Sequence, residues 1–234
     1  MNKIMTLLAT LLISFQARAL NLNTANTVNL RGSINESSVA KAYQDIESLR
    51  NLRGVAKYPI YLVVNSPGGS VLQGMKLIKY MKTVPNLKVI CLFCASMAHA
   101  ILQHHPEERL ILEDSMLMAH RASATFRGQF AQGEVESTLK VLSALINYLE
   151  SITANRIGLS LKDYKQKIIN EWWTFGAESI KQNVADRVIT INCSRELEKK
   201  QDITIEESFF GQFKIAHSGC PLIEFEIPVK EKKK

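Results

Sequence analysis

The sequence predicts an α/β domain with a largely parallel sheet and right-handed crossovers. Three observations indicate this fold. Residues 60–64 form a continuous run rich in β-branched side chains, which is typical of a strand buried on both faces of a sheet. Strand patterns alternate with helical patterns along the chain. A length of 234 residues with 46% hydrophobic residues is enough to fill the core of one domain of ordinary size.

The first segment is predicted to be a secretory signal peptide over residues 1–19. Lys3 precedes an apolar run at residues 4–15, and residues 17–19 form a small-x-small cleavage site. The alternative is an uncleaved membrane anchor, but the run is shorter than the roughly 20 apolar residues that span a bilayer. We therefore expect an exported protein, periplasmic or secreted, whose mature chain begins near Leu20.

The mature chain remains basic after this cleavage. The signal contains two basic residues and no acidic residue, so its removal lowers the net charge from +7 to +5. Residues 230–234 form a short basic tail, which is expected to be solvated and frayed. No aromatic residues are interleaved with its lysines, as a groove for single-stranded nucleic acid would need. No nucleic-acid partner is therefore expected.

The first half of the domain is expected to repeat a unit of strand, turn and helix. Its helices are predicted from apolar residues that recur every three or four positions, and its strands from short apolar runs. The expected elements are, in order, an edge strand at 27–30, a helix at 38–51, a strand at 60–64, a helix at 71–81, a strand at 87–93 and a helix at 95–103.

The second half is expected to contain one long helix and several short elements. The long helix is predicted from an amphipathic pattern over residues 134–156, and it is long enough to project from the domain. The expected elements are, in order, short strands at 109–112 and 116–118, the long helix, a helix at 161–169, a loop at 172–173, a helix at 177–183 and a strand at 187–191.

Four cysteines allow three complete disulfide pairings, and an exported protein permits them. Cys91 and Cys94 lie in a predicted strand, where residues three apart point to opposite faces, so a bridge between them is disfavoured. Both are expected to be buried thiols. Cys193 and Cys220 are the more plausible pair and would tie the C-terminal extension to the domain. Without histidines at ligand spacing, no metal site or other cofactor is expected.

A glycine turn follows the buried strand, and it is the first candidate for chemistry. Gly68 and Gly69 allow backbone conformations closed to other residues and a close approach to a ligand. Their outward N–H groups suit a developing oxyanion. Taken alone, the motif is explained about as well by a structural β-turn.

A serine among small residues follows the next strand. Ser96 lies where the strand passes into a helix, so its hydroxyl would be exposed at the helix N-terminus, and the amide of Met97 would face the same atom as the glycine amides. A lone serine at such a position is usually a helix N-cap. The downstream histidine is what favours a nucleophile.

His120 ends a predicted strand 24 residues after the serine and is the candidate general base. An imidazole with a pKa near 6.5 accepts a serine proton and returns it to a leaving group. His99, His104 and His105 are rival bases. Residue 99 is expected to point away from the hydroxyl, and the other two lie in a polar segment, so all three are expected to be solvated.

The glycine turn, the Ala-Ser-Met segment and the Met-x-His segment, in this order and spacing, resemble the proteolytic subunit of the Clp protease, the ClpP family. Similarity covers residues 28–191. The resemblance implies a crotonase-like stack of βαβ units, with the long helix from Glu134 as the handle through which family members form rings. It implies a serine endopeptidase with Ser96 as nucleophile and His120 as base.

The resemblance also implies the supporting residues. The oxyanion hole would use backbone amides of Gly68 or Gly69 and of Met97. The family's third triad member is an aspartate, and Glu171 stands at its place in this sequence. A glutamate orients an imidazole in some hydrolases. Two other carboxylates, Asp163 and Asp186, remain substitutes, and Glu171 alternatively is a surface carboxylate.

The chain is thus divided into a signal peptide at 1–19, a ClpP-like peptidase domain at 20–192 and a C-terminal extension with a basic tail at 193–234. Its partners are expected to be peptide or protein substrates and further copies of itself in a ring. Family members receive unfolded substrates from a ring ATPase, but an exported chain would meet neither ATP nor that partner. The sequence therefore suggests an ATP-independent peptidase.

Three alternatives stay open at this point. One is a crotonase-type enzyme acting on acyl-CoA thioesters, which shares the sheet and the oxyanion hole but needs no Ser-His pair. A second is a catalytically inactive oligomeric binding module, suggested by the bulkier residues around Ser96. The third is a Ser-Lys dyad with Lys140 or Lys162 as the base.

Overall fold

The computed structural model describes residues 19–53, 58–123, 129, 131, 133–208, 211–223 and 227–228. The predicted signal peptide, apart from its last residue, and the basic tail at 230–234 lie outside the described residues. Among the helices that are described, none combines the length and the apolar character needed to span a bilayer.

The chain folds into helices and strands that alternate through most of its length. The strands are β1 (Leu20–Leu22), β2 (Thr27–Arg31), β3 (Ile60–Ser66), β4 (Leu87–Ala95), β5 (Arg109–Ala119), β6 (Trp172–Phe175), β7 (Arg187–Val188), β8 (Ile191–Cys193), β9 (Gln201–Ser208), β10 (Gly211–Ser218) and β11 (Ile227–Pro228). The helices are α1 (Glu36–Arg53), α2 (Val71–Met81), α3 (Met97–His104), α4 (Glu134–Ile157), α5 (Leu161–Lys167), α6 (Ala177–Lys181) and α7 (Arg195–Lys199).

The central sheet has the strand order β2-β3-β4-β5-β6, and β7 pairs with β5 beside this path. Strands β2 to β5 are parallel to their neighbours, and β6 is antiparallel to β5. The predicted α/β fold with a largely parallel sheet is confirmed, and β2 lies at the edge as expected.

Both faces of the sheet are covered, which explains why residues 60–64 are apolar without alternation. Leu62 and Val64 belong to the larger buried cluster, which packs against the helices. Tyr61 and Val63 point the other way, into a second cluster that includes Ile191 of β8 and Cys220 of the C-terminal segment. The C-terminal extension therefore helps to cover the face of the sheet that the helices leave open.

Three expected elements differ in the structure. The loop predicted at residues 172–173 is wrong, because both tryptophans belong to β6 and pair with the end of β5. The two short strands at 109–112 and 116–118 are one irregular strand, β5. The strand predicted at 187–191 is divided into β7 and β8, which belong to different sheets.

Helix α4 contacts the domain through only part of its length. Its 24 residues span about 36 Å at 1.5 Å per residue. The buried side chains of this helix, from Leu149 to Ile157, all lie in its C-terminal part. The first half carries exposed apolar side chains, among them Leu139 and Val141. That half is available to contact other molecules.

Strand β4 contains a bulge that overturns the prediction for its two cysteines. The pairing with β3 is Val64 with Cys91 and then Asn65 with Phe93, so Leu92 is an extra residue in β4. One extra residue shifts the alternation of side chains by one position, which brings residues 91 and 94 to the same face. The two are not free thiols as expected; they form a disulfide.

Ser115 compensates for the interruption of hydrogen bonding at this bulge. On the β5 side, Cys91 pairs with Ile111 and Phe93 with Met116, so the two strands separate between these pairs. The hydroxyl of Ser115 donates to the Cys91 carbonyl at 2.6 Å and accepts from the Leu112 amide at 2.8 Å. The hydroxyl is fully buried and takes the place of missing ladder bonds.

The C-terminal segment is attached to the domain by covalent and polar contacts. Cys193 and Cys220 form the disulfide that the sequence suggested. The guanidinium of Arg31, at the end of β2, donates to the Ser218 carbonyl at 3.1 Å. Strands β9 and β10 pair as an antiparallel hairpin between the two cysteines. The segment is therefore a packed part of the fold.

We expect the disulfide between Cys193 and Cys220 to contribute substantially to stability. It closes a loop with a sequence separation of 27, and the loop-entropy relation gives about 3.5 kcal/mol for a loop of this size. Replacing both cysteines by serine should lower the free energy of unfolding by a few kcal/mol, measured by urea denaturation. An unchanged urea midpoint would show that the extension contributes nothing to the cooperative fold.

Candidate active site

Ser96 occupies the junction between β4 and α3 in an unusual backbone conformation. Its φ of 56° and ψ of −119° lie outside the regions that residues other than glycine usually adopt. The Ser96 amide donates to the Met118 carbonyl at 2.9 Å, which fixes this residue to β5. The side chain makes no helix-capping bond. The structure therefore does not support the usual explanation of a serine at a helix N-terminus.

The imidazole of His120 lies against the serine hydroxyl. Ala95 and Met118 are paired across β4 and β5, so the residues after these strands emerge side by side. A hydrogen bond of 2.7 Å joins Ser96 Oγ and His120 Nε2. When Nε2 is unprotonated the hydroxyl donates to it, which is the arrangement that activates a serine. The structure brings together the two residues that the sequence selected.

The three rival histidines are buried, and the expectation that they are solvated is wrong. His104 Nε2 hydrogen bonds with the Leu149 carbonyl at 3.1 Å, and His105 Nε2 with the Leu87 carbonyl at 2.8 Å. A carbonyl only accepts, so in both rings Nε2 is the protonated nitrogen. Burial lowers the pKa of His104 to about 4 and lowers that of His105 as well. Among the described residues, Ser96 hydrogen bonds with His120 and with neither of these rings.

His99 is fixed as a neutral ring by a chain of polar contacts. Arg109 is only 2% exposed. Its guanidinium donates to the Asp186 carboxylate and to Gln103 Oε1, the latter at 2.7 Å. The Gln103 Nε2 group therefore donates, to the Val184 carbonyl at 2.7 Å and to His99 Nε2 at 3.4 Å. His99 Nε2 accepts, so the proton of the neutral ring is on Nδ1. Burial, reinforced by the charge of Arg109, lowers the pKa of His99 to about 3.

These buried histidines predict that stability declines with acidification. Their pKa values in the folded state lie below the unfolded value of about 6.5, so the unfolded chain binds more protons below that pH. Their stabilising contribution is fully present above about pH 6.5 and is lost progressively as the pH falls towards about 4. Each ring should contribute up to about 1.4 kcal/mol per pH unit in this interval.

Urea denaturation at several pH values checks this expectation. The urea midpoint should fall between about pH 6.5 and pH 4, and the variant His99→Asn, which keeps an acceptor but does not titrate, should have a shallower slope. A wild-type midpoint that stays constant across this interval would contradict the assignment of neutral buried rings.

Gly68 lies directly against the nucleophile segment. A Cβ atom at this position would lie 2.7 Å from the Ser96 Cβ and 2.8 Å from the Met97 amide nitrogen. Its φ of 96° is also one that side-chain-bearing residues rarely adopt. The glycine thus lets the turn after β3 approach the serine. The Gly68 amide donates to the Ser66 hydroxyl at 3.1 Å, so Gly69 is the better candidate of the two for an oxyanion donor.

The direction of the Gly69 amide follows from its pairing with the segment after β2. The Ile34 amide donates to the Gly68 carbonyl at 2.7 Å, and the Ile34 carbonyl accepts from the Ser70 amide at 2.8 Å. Ile34 and Gly69 thus form an isolated parallel β-bridge. In a parallel bridge the N–H of the central residue points away from its partner. The Gly69 amide therefore faces the other side, where the segment after β4 carries Ser96 and Met97.

Glu171 is placed next to His120 but makes no hydrogen bond with it among the described residues. Ala119 pairs with Trp172 across the antiparallel strands β5 and β6. His120, which follows Ala119, and Glu171, which precedes Trp172, are therefore opposite each other just beyond this pair. The Glu171 carboxylate instead accepts from the Trp173 indole at 2.9 Å. The substitutes are engaged elsewhere: Asp163 accepts from Ser160 at the start of α5, and Asp186 binds Arg109.

The candidate lysine bases are not placed at the serine. Lys140 lies in the exposed first half of α4, and Lys162 is an exposed residue in the first turn of α5. Neither lines the pocket beside Ser96. The geometry favours the imidazole as the base.

A pocket of about 70 Å³ opens beside the serine and the histidine. Helix α4 forms one wall through residues that the sequence did not single out, Glu150 among them. Only the helix register decides which residues of an amphipathic helix face this space, so no local signal identified them. The pocket is lined by Val71, Ser96, Met97, His99, Ala100, Ala119, His120, Ala122, Ile146, Leu149, Glu150, Thr153 and Tyr164.

Comparison with known proteins gives consistent matches. The family model described as Clp protease matches residues 14–192. The ATP-dependent Clp protease proteolytic subunit 3 of Rhodococcus jostii strain RHA1 is 26% identical over 167 residues, which are 70% of this chain and 81% of that protein. The ATP-dependent Clp protease proteolytic subunit 2 of Tropheryma whipplei strain Twist is 26% identical over 137 residues, 57% of this chain and 75% of that protein.

Proposed function

Because the chain belongs to the Clp protease family, a family of serine peptidases, we propose that it is a serine endopeptidase that hydrolyses peptide bonds through an acyl-enzyme at Ser96. The observation that carries this proposal is the hydrogen bond of 2.7 Å between Ser96 Oγ and His120 Nε2. A crotonase-type enzyme acting on acyl-CoA needs no such pair. The contact is also what an active enzyme requires and an inactive binding module does not.

The reaction would proceed in two halves. His120 Nε2 takes the hydroxyl proton while Ser96 Oγ bonds to the substrate carbonyl carbon, and the same imidazole returns the proton to the leaving amine. The amides of Gly69 and Met97 hold the negative oxygen of the tetrahedral intermediate. Water then attacks the ester carbonyl with His120 as base, which releases the acid and restores the serine.

Glu171 would assist as the group that orients the imidazole. It directly precedes β6, opposite His120 in the register of β5 and β6, and its carboxylate would exchange the Trp173 indole for the ring. Its role is therefore that of a positioning residue. The reaction needs no metal or organic cofactor, because proton transfer and oxyanion stabilisation both come from protein groups.

Export is part of the proposal. The signal-like residues 1–19 and the two disulfides agree with an oxidising compartment, periplasmic or extracellular. Such a compartment contains no ATP, so the peptidase would act without an ATPase partner, in contrast to the relatives named ATP-dependent. N-terminal sequencing of the exported protein should give a first residue near Leu20.

Oligomerisation is also proposed, through the exposed first half of α4. ClpP family members form homo-oligomeric rings. The apolar side chains of Leu139 and Val141 are exposed on this helix, and an exposed apolar stripe is the kind of surface that a second copy covers. Sedimentation of the mature protein tests this part of the proposal separately from the chemistry.

An alkyl fluorophosphonate tests the central proposal, because it reacts with activated serines. The folded mature protein should be modified at Ser96, and the denatured protein should not. The label is located by peptide mass spectrometry, and casein turnover is measured in parallel. A folded protein that resists the reagent and leaves casein intact would favour the inactive binding module.

A further inference from the structure

The pocket beside Ser96 contains a partly buried carboxylate that the mechanism does not use. Glu150 lies on α4, and only 12% of its side chain is exposed. Its nearest cation, Lys165 Nζ, is 3.5 Å away, and that ammonium makes a shorter contact of 2.5 Å with Asn147 Oδ1. The ion pair with Lys165 is thus made without a hydrogen bond, so the carboxylate keeps capacity to accept from a further donor, and it faces a space beside the nucleophile.

The other groups that line the pocket are apolar or neutral. His99 is a neutral ring, and burial together with the charge of Glu150 raises the pKa of Tyr164, which keeps its hydroxyl protonated. The remaining walls are aliphatic side chains, the Met97 thioether and the neutral side chain of Thr153. Among the described residues that line this space, Glu150 is the one carboxylate, and there is no lysine or arginine. The pocket thus combines apolar walls with one negative charge.

We propose that this pocket receives the side chain that precedes the scissile bond, the P1 residue, and that Glu150 selects lysine or arginine at that position. The inference rests on the proposed peptidase function. Ser96 and the amides of Gly69 and Met97 hold the carbonyl of the P1 residue. Its side chain therefore enters the adjoining pocket.

The physical argument is one of complementarity. The four methylene groups of a lysine side chain pack against the apolar walls, while its ammonium reaches the carboxylate. A hydrogen bond to a charged partner in such a partly desolvated site is worth about 1.5–3 kcal/mol, which corresponds to a preference of about 10- to 150-fold. A norleucine side chain has nearly the same shape and lacks the charge, whereas a glutamate at P1 would be repelled.

Peptidyl diphenyl phosphonates with lysine, norleucine or glutamate at P1 test this inference. They modify the active serine at a rate that reports P1 recognition without requiring turnover. The wild-type protein should react with the lysine reagent at least about ten times faster than with the norleucine reagent. The glutamate reagent should react more slowly than the norleucine reagent. Glu150→Gln should abolish the lysine advantage, so that the lysine and norleucine reagents react at similar rates.

Glu136→Gln is the matched control, because it removes the same charge from the exposed first half of the same helix. It should retain the full lysine preference. Equal rates for the lysine and norleucine reagents in the wild type would overturn the inference, as would a preference that survives Glu150→Gln. The alkyl fluorophosphonate has no P1 side chain, so labelling of Ser96 by that reagent without a lysine preference refutes the specificity alone. Failure of every reagent refutes the peptidase function as well.

Discussion

Replacing Ser96 by alanine is expected to lower kcat for peptide hydrolysis by about 10³- to 10⁶-fold, because the acyl-enzyme no longer forms. The thermal unfolding midpoint should change little, since the hydroxyl makes no structural capping bond and, among the described residues, hydrogen bonds with His120 alone. The exposed serine Ser143 on α4 supplies the control: Ser143→Ala should retain full activity. Hydrolysis of a fluorogenic peptide and circular dichroism of the purified variants check both expectations.

His120→Ala is expected to cause a loss of similar size, and the two substitutions should not be additive. Nucleophile and base act as a unit, so the double variant should be about as inactive as either single variant. Losses that multiply in the double variant would contradict the proposed pair. Activity that persists in His120→Ala would instead point to another base.

The second large effect is expected for Gly68→Ala. The added Cβ would lie within 2.8 Å of the Ala95 carbonyl oxygen, the Ser96 Cβ and the Met97 amide nitrogen, so the glycine turn and the nucleophile segment must separate. Displacement of one oxyanion donor typically costs about 10²- to 10³-fold in kcat. The positive φ adds a destabilisation of about 1–3 kcal/mol.

Gly133 supplies a control that separates these two causes. Its φ of 79° is also in the left-handed region, but a Cβ at this position meets no atom of the described residues within 4 Å. Gly133→Ala should therefore show the cost of the backbone conformation in its unfolding midpoint and retain peptidase activity. If Gly68→Ala were as active as Gly133→Ala, the close approach at the serine would have no catalytic role.

The sheet was predictable because its strands are buried on both faces. Residues 60–64 need no partner information to be recognised as a buried strand, and the following glycines mark where it ends. β6 was missed because it has only four residues, two of them tryptophans that also suit a loop. Its assignment depends on pairing with β5, more than 50 residues earlier in the chain.

Local sequence also misled the interpretation of the histidines. His104 and His105 precede a polar segment, which is typical of a loop, and yet both rings are buried against backbone carbonyls of Leu149 and Leu87. Those partners are 45 and 18 residues away. A buried polar ring is recognised only when its distant acceptor is known, because the acceptor is what removes the cost of burial.

The contact between Ser96 and His120 was predictable for a different reason. Ser96 and His120 each follow a strand of one parallel sheet, and neighbouring parallel strands deliver their carboxyl ends to the same edge. The positions of the two residues after successive strands therefore predicted that their side chains lie close together. Glu150 lies on a helix that crosses this edge, and its approach to the pocket depends on tertiary packing that no local motif encodes.

The bulge in β4 sets which way the nucleophile points. Up to Cys91 the strand follows one phase of pleating, and after Leu92 it follows the opposite phase. Deleting that single leucine would restore an uninterrupted zigzag and rotate everything beyond it by half a turn, so that the hydroxyl of Ser96 would be directed into the protein interior. The direction of the serine side chain therefore depends on the single extra residue, Leu92, that the bulge adds to β4.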